Sequence, residues 1–263
     1  MNLLFRTKLD PPNVPYRCIR DPHRTKLVAM DCSAGVSGRA IDRMLNGVKI
    51  YNQIGESCTG ETNAQCAGAI SEVAGKRIDY SALHNYFQAR LEEAKLKGGP
   101  IDPKLLIDDG TYPFASLMAW ITYGMSLEKD WPHDVNLLNK QPGWGAMAEG
   151  AAHKTSAFYK LDSSGSELLQ DIDLAIRANH PGMITIPVDA ELVQHCGTEP
   201  VGLRVPPFLG LHRLPILGLT TEGLPIAVNS WGQGSGDGGI LYLSRELVMV
   251  QGKDISILTA ERI

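Results

Sequence analysis

The period of the apolar residues changes about halfway along this chain, and that change limits the fold more than any single residue does. From Cys58 the small and apolar residues Ala64, Ala67, Gly68, Ile70 and Val73 recur at helical spacing until Gly75, which predicts a buried helix beginning at a thiol. Residues 81–97, "SALHNYFQARLEEAKLK", place Leu83, Tyr86, Phe87, Arg90, Leu91 and Ala94 on one face, with Ser81 as N-cap and Gly98 and Gly99 as the stop. A third helix runs from about Phe114 to Tyr123 and ends at Gly124. Beyond "WPHD" the Pro and Gly content rises. A fourth helix over 166–178 then leads into the apolar runs "GMITIPV", "RLPILGLT", "LPIAVN" and "GILYLS", which read as strands. Helices first and strands second predict an α+β chain of two unlike lobes with a cleft between them.

Composition narrows the partners. A net charge of −4 with no basic stripe gives no reason to expect nucleic acid. No stretch approaches 18 uninterrupted apolar residues, and Pro11 and Pro12 interrupt the start before a signal peptide could form. The expectation is therefore a protein with no membrane partner, not secreted through a classical signal peptide. The five cysteines, Cys18, Cys32, Cys58, Cys66 and Cys196, form no CxxC pair, which argues against a disulfide framework and against a zinc site. A reducing compartment follows, and no cofactor or metal is expected. Residues 1–40, with Pro11, Pro12, Pro15 and Pro22 and no sustained period, read as an extended arm.

Cys58 opens its helix, where unpaired N–H groups and the positive end of the dipole favour a thiolate. Position alone leaves two readings, a nucleophile or one of the inert buried thiols that proteins commonly contain. Cys66, two turns further on among alanines, reads as core. A nucleophilic thiolate needs a base and a group that orients the base. Of seven histidines, His212 opens the apolar run "HRLPILGL" and would sit at a strand edge, as a framework residue or as that base. Asn229 follows 17 residues later at the end of the next apolar run, and the "TTEG" turn between them would make the two ends hairpin neighbours. An amide oxygen there can accept from the imidazole and hold its tautomer.

Residues 226–243, "IAVNSWGQGSGDGGILYL", resemble the segment around the catalytic Asn of papain-like cysteine peptidases. Asn229-Ser230-Trp231-Gly232 match four in a row, and Gly236, Asp237 and Gly239 fall in step. Upstream, "VKIYNQIGESCTG" and "DDGTYPFASLMAWITYGMSLEKDWPHD" are similar to that family's nucleophile segment and to the stretch that follows it. The resemblance implies a papain-like two-lobe fold in which residues 41–263 form the peptidase domain. A helical lobe would cover about 41–135 and a β-barrel-like lobe about 136–263, with the active-site cleft between them. It implies Cys58 as nucleophile, His212 as base and then acid, Asn229 as orienting group, Gln53 with the Cys58 N–H as oxyanion hole, and Trp231 as the shield over the His–Asn contact. The substrate would be a peptide or protein, cleaved through an acyl-enzyme.

The sequence departs from that pattern in places. Gln53 stands five residues before Cys58 where the family has six, Gly55 replaces a cysteine at minus three, and Thr59 replaces the usual aromatic. Leu211 and Arg213 flank His212 where Gly and Ala are usual, and Leu211 is expected to narrow the cleft. These departures keep open an alternative, a papain-fold structural or binding protein with little turnover, such as a virion component. With no full propeptide expected ahead of Cys58, residues 1–40 are the expected docking arm for an assembly partner, in a cytoplasmic or virion-associated setting. Asp108, Asp109 and Asp134 flank turns and read as solvated caps, not as a catalytic cluster. "GQGSGDGG" lacks the Lys-Ser/Thr ending of a phosphate loop.

Overall fold

A helix of 16 residues, α1 (Cys58–Val73), is buried from Cys58 through Ser71 although its sequence, CTGETNAQCAGAISEV, is largely small and polar. Polar groups survive inside a protein when they find partners, and most of these do, Glu61 Oε2 and Gln65 Oε1 excepted among the described residues. Thr59 Oγ1 meets Thr111 Oγ1 at 2.6 Å, Thr62 donates to the Arg213 carbonyl at 3.0 Å, Asn63 bonds Asn85 at 2.9 Å and Gln65 donates to the Lys49 carbonyl at 3.1 Å. The computed structural model describes residues 42–98, 102–103, 106–155 and 157–259, so the expected arm over 1–40 lies outside the described residues.

Helix α2 (Ala82–Leu96) starts at Ser81, whose hydroxyl accepts from the His84 N–H at 3.0 Å, the cap expected from the sequence. Helix α3 (Pro113–Tyr123) has proline in its first turn, where no N–H is missed, and stops at Gly124 with φ +77°. Helices α1 and α2 approach closely at Gly60, where a side-chain carbon would collide with the Ala82 carbonyl.

The second half carries α4 (Trp144–Gly150), β1 (Phe158–Lys160), α5 (Gly165–Arg177), β2 (Gly182–Val188), α6 (Ala190–Gln194), β3 (Gly210–Leu219), β4 (Pro225–Val228), β5 (Ile240–Tyr242), α7 (Arg245–Gln251) and β6 (Lys253–Leu258). The strands form one six-stranded antiparallel sheet in the order β1-β6-β2-β3-β4-β5. It is an open sheet, not the closed barrel-like lobe expected, because β1 and β5, three residues each, end it on opposite sides. The central pair β2 and β3 runs in register from Gly182 opposite Ile216 to Val188 opposite Gly210. Helix α5 turns Leu168, Ile172, Ala175 and Ile176 inward, an i, i+4, i+7, i+8 stripe. Helix α1 lies against β3, as the Thr62 bond to Arg213 requires.

The close α1–α2 contact yields a test. Gly60→Ala should destabilise the protein by about 2 kcal/mol, since backbone must move to admit the methyl group. Gly68→Ala in the same helix meets only the guanidinium of Arg77, the far end of a flexible side chain, and should be close to neutral. Thermal unfolding of both variants checks this, and equal midpoints would contradict the packing described.

Candidate active site

Strand β3 delivers His212, fully buried, as its third residue, and β4 ends at Val228 so that Asn229 falls just beyond it. The hairpin joining them is antiparallel, with Leu219 opposite Pro225 and Ile216 opposite Ala227. The structure therefore brings together the two ends that the sequence paired: His212 Nε2 lies 2.9 Å from Asn229 Oδ1. The direction of that bond follows from its neighbours. Asn229 Oδ1 also accepts from the Ser230 N–H at 2.8 Å, a group that can only donate, so this atom is the oxygen. Asn229 Nδ2 in turn lies 2.8 Å from Ser235 Oγ. His212 must then carry its proton on Nε2, which leaves the Nδ1 lone pair bare in the neutral ring; Nδ1 makes no hydrogen bond among the described residues.

Trp231 covers the pair, its ring centroid 4.4 Å from that of His212 at 31°. Burial pushes the imidazole down to about 4, against the opposing pull of the Asn229 bond. Ser235 was not singled out in the sequence. It sits within the Gly-rich loop, six residues after Asn229, and only the folded loop shows that its hydroxyl meets the amide.

Cys58 is the first residue of α1 and is 1 % exposed. The residues one and two turns further on hold the helix to the sheet. Cys66 Sγ approaches the carbonyl of Gly182, which pairs with Ile216, while Thr62 bonds the carbonyl of Arg213. Positions 58, 62 and 66 share one helical face. That face docks α1 on β2 and β3, with Cys58 at the N-terminal end of the helix. Burial pushes the Cys66 thiol well above its ordinary range, as suits an inert core thiol, and Cys196 is exposed.

The stretch before Cys58 is stitched to the loop after Asn229. The Gln53 N–H donates to the Ser230 carbonyl at 2.6 Å, the Gly232 N–H to the Tyr51 carbonyl at 2.8 Å, and Asn52 bridges Trp231. Gln53 thus lies beside the His–Asn pair. Its side-chain amide donates to the Gly55 carbonyl at 2.8 Å and its oxygen lies 3.2 Å from Ser230 Oγ. One of its two amide protons is thereby committed within its own loop.

One sequence expectation, that Asp108 is a solvated cap, is revised, and the surroundings of His212 are defined. Arg213 points away from His212, buried at 2 %, with its guanidinium on Thr185 Oγ1 at 3.1 Å and the Asp254 carbonyl at 2.5 Å. Strand alternation puts half-buried Leu211 on the same side of β3 as Arg213. Asp134 caps a turn, accepting from the Asn136 N–H at 2.8 Å, as read from the sequence. Asp108 does not behave as a solvated cap: it accepts from the Glu56 N–H at 3.0 Å and from the Tyr86 hydroxyl at 2.7 Å.

No protein-family profile and no curated protein sequence matches the chain. Solved structures do. Xylellain, a cysteine protease from Xylella fastidiosa, superposes with a TM-score of 0.77 at 16 % identity over 98 % of this chain and 96 % of that one. Procathepsin B from Trypanosoma congolense gives 0.66 at 15 % identity over 97 % and 85 %. Bromelain from Ananas comosus, in complex with the inhibitor E64, gives 0.58 at 14 % identity over 84 % and 97 %. At such identities it is the backbone that is shared, and the chain has the two-lobe α+β fold of the papain-like cysteine proteases.

Proposed function

We propose that the protein is a cysteine peptidase acting through Cys58, His212 and Asn229. The observation that supports this reading is the buried His212–Asn229 bond under Trp231, in a chain whose α1 begins at the buried thiol of Cys58.

In the proposed reaction the Cys58 proton passes to His212 Nδ1, giving a thiolate and an imidazolium. The sulfur attacks the carbonyl carbon of the scissile bond, and the carbonyl π pair moves onto oxygen. The oxyanion forms at the start of α1, where the Cys58 N–H and the Gln53 amide would stabilise it. Removing one such donor from comparable sites costs about 3 kcal/mol. As the tetrahedral intermediate collapses, the C–N bond breaks and His212 gives its proton to the departing amine. Water, deprotonated by His212, then attacks the thioester, releasing the acid and regenerating the Cys58 thiol. Asn229 keeps the ring in plane for both proton transfers, and Trp231 excludes water from the bond that does so. The domain performing this chemistry is taken to be residues 41–263, and its substrates peptides or proteins.

Iodoacetamide should alkylate Cys58 in the native protein at least about tenfold faster than Cys66, because only Cys58 combines a helix start with a neighbouring imidazole. Peptide mapping after a timed reaction reads this, and labelling of Cys58 no faster than Cys66 would exclude the nucleophile. Peptide hydrolysis should disappear in Cys58→Ser with the fold retained. Ser235→Ala should lower turnover by roughly tenfold without abolishing it, since the Asn229 amide loses the contact that holds its nitrogen while the His212 bond survives. Full wild-type turnover in a Ser235→Ala protein would remove Ser235 from the account.

A further inference from the structure

The turn immediately before Cys58 is gripped from a loop 52 residues away. Asp108 Oδ1 accepts the Glu56 N–H at 3.0 Å, and Asp108 Oδ2 lies where a side chain on Gly55 would be. Gly55 itself has φ +61°, a left-handed conformation that glycine adopts without cost. The same added side-chain carbon would sit 2.8 Å from Leu138 Cδ2, so two side chains crowd the space beside this glycine. Both are fixed by α2. Tyr86 donates its hydroxyl to Asp108 at 2.7 Å, and Arg90, stacked 4.6 Å from the centroid of the Tyr86 ring, donates to the Leu138 carbonyl at 2.6 Å. Burial and the Asp108 charge push the Tyr86 hydroxyl far above its ordinary range, so it remains a donor at every working pH. The loop takes hold again one residue beyond the thiol, where Thr111 Oγ1 meets Thr59 Oγ1 at 2.6 Å.

We propose that Asp108 is a positioning residue for the nucleophile: by clamping the Gly55–Glu56 turn it fixes the start of α1, and so the place where the substrate oxyanion is received. The inference rests on the peptidase reading above. It gives a reason for Gly55 at minus three and Thr59 at plus one, the two sequence departures around Cys58. Each is the partner of a residue in the 108–111 loop, Gly55 as the gap the carboxylate fills and Thr59 as the hydroxyl that Thr111 meets.

Two reactions of the same thiol separate this role from a merely structural one. Alkylation by iodoacetamide displaces iodide from a methylene and builds no charge on oxygen, whereas peptide hydrolysis depends on how the oxyanion is held. In Asp108→Ala, hydrolysis of a fluorogenic peptide library should fall in kcat/KM by about 30-fold, since a displacement of about 1 Å at the reacting centre costs that order. Alkylation of Cys58 should stay within about threefold of wild type, because displacement at a methylene carbon makes no use of the oxyanion geometry that the clamp sets, and Cys58 remains the first residue of its helix. Asp108→Asn, which keeps an acceptor oxygen for the Glu56 N–H, should recover most of the loss. Tyr86→Phe, isosteric and retaining the Arg90 contact, should show an intermediate loss and decides the matter should Asp108→Ala fail to fold. Hydrolysis at the wild-type rate in Asp108→Ala or Tyr86→Phe overturns the proposal, as does a parallel fall in both reactions. A wild-type protein that neither cleaves the library nor alkylates preferentially at Cys58 instead overturns the peptidase reading on which the proposal stands.

Discussion

Burying a helix as polar as α1 is the constraint on which the rest of the molecule depends. An unpaired buried hydroxyl or amide costs about 1–3 kcal/mol, so a helix lined with Thr59, Thr62, Asn63 and Gln65 is stable only where each meets a partner. Those partners come from α2, from β3, from the 108–111 loop and from Lys49, and satisfying them together fixes the helix in rotation and in height. A purely aliphatic helix could slide or rotate at small cost. This one cannot, and the position of Cys58 at its first residue is inherited from that requirement.

The same low-dielectric surroundings set the terms of the proposed chemistry. Burial pushes the His212 imidazole down to about 4 despite the Asn229 bond, so a charged imidazolium there needs a compensating negative charge at close range. A thiolate on Cys58 supplies one, and the α1 dipole stabilises that thiolate in turn. Each half of the pair is costly without the other. In that proposed chemistry Asn229 and Trp231 would add orientation and dryness, and Ser235 Oγ, 2.8 Å from the Asn229 amide nitrogen, would hold Asn229.

Much of this was legible from residue order. Ser81 and Gly124 bounded their helices because caps act through nearest neighbours, and the meeting of His212 with Asn229 followed from two apolar runs and one turn. What escaped reading depends on long-range or weak signals. Helices α4, α6 and α7 span seven, five and seven residues, too short for a period to show. Strand β1 is three residues long and gains its identity only by pairing with β6 at the end of the chain. Asp108 resembled a solvated cap because its partners, Tyr86 and Glu56, lie 22 and 52 residues away. Closure of the sheet was expected from the resemblance alone and is not what the strand order gives.

The account turns on whether Cys58 and His212 share a charge. Nitrogen-detected NMR of the His212 ring, titrated from pH 4 to 8 in wild type and in Cys58→Ser, tests this most directly. In wild type the ring should take up its proton at a higher pH than in Cys58→Ser, because a neighbouring thiolate offsets part of the burial that pushes the imidazole down. In Cys58→Ser, with the thiolate gone, the ring should titrate at a lower pH than in wild type, since only burial and the Asn229 bond then act on it. Identical titrations in the two proteins would contradict the ion pair and with it the proposed mechanism.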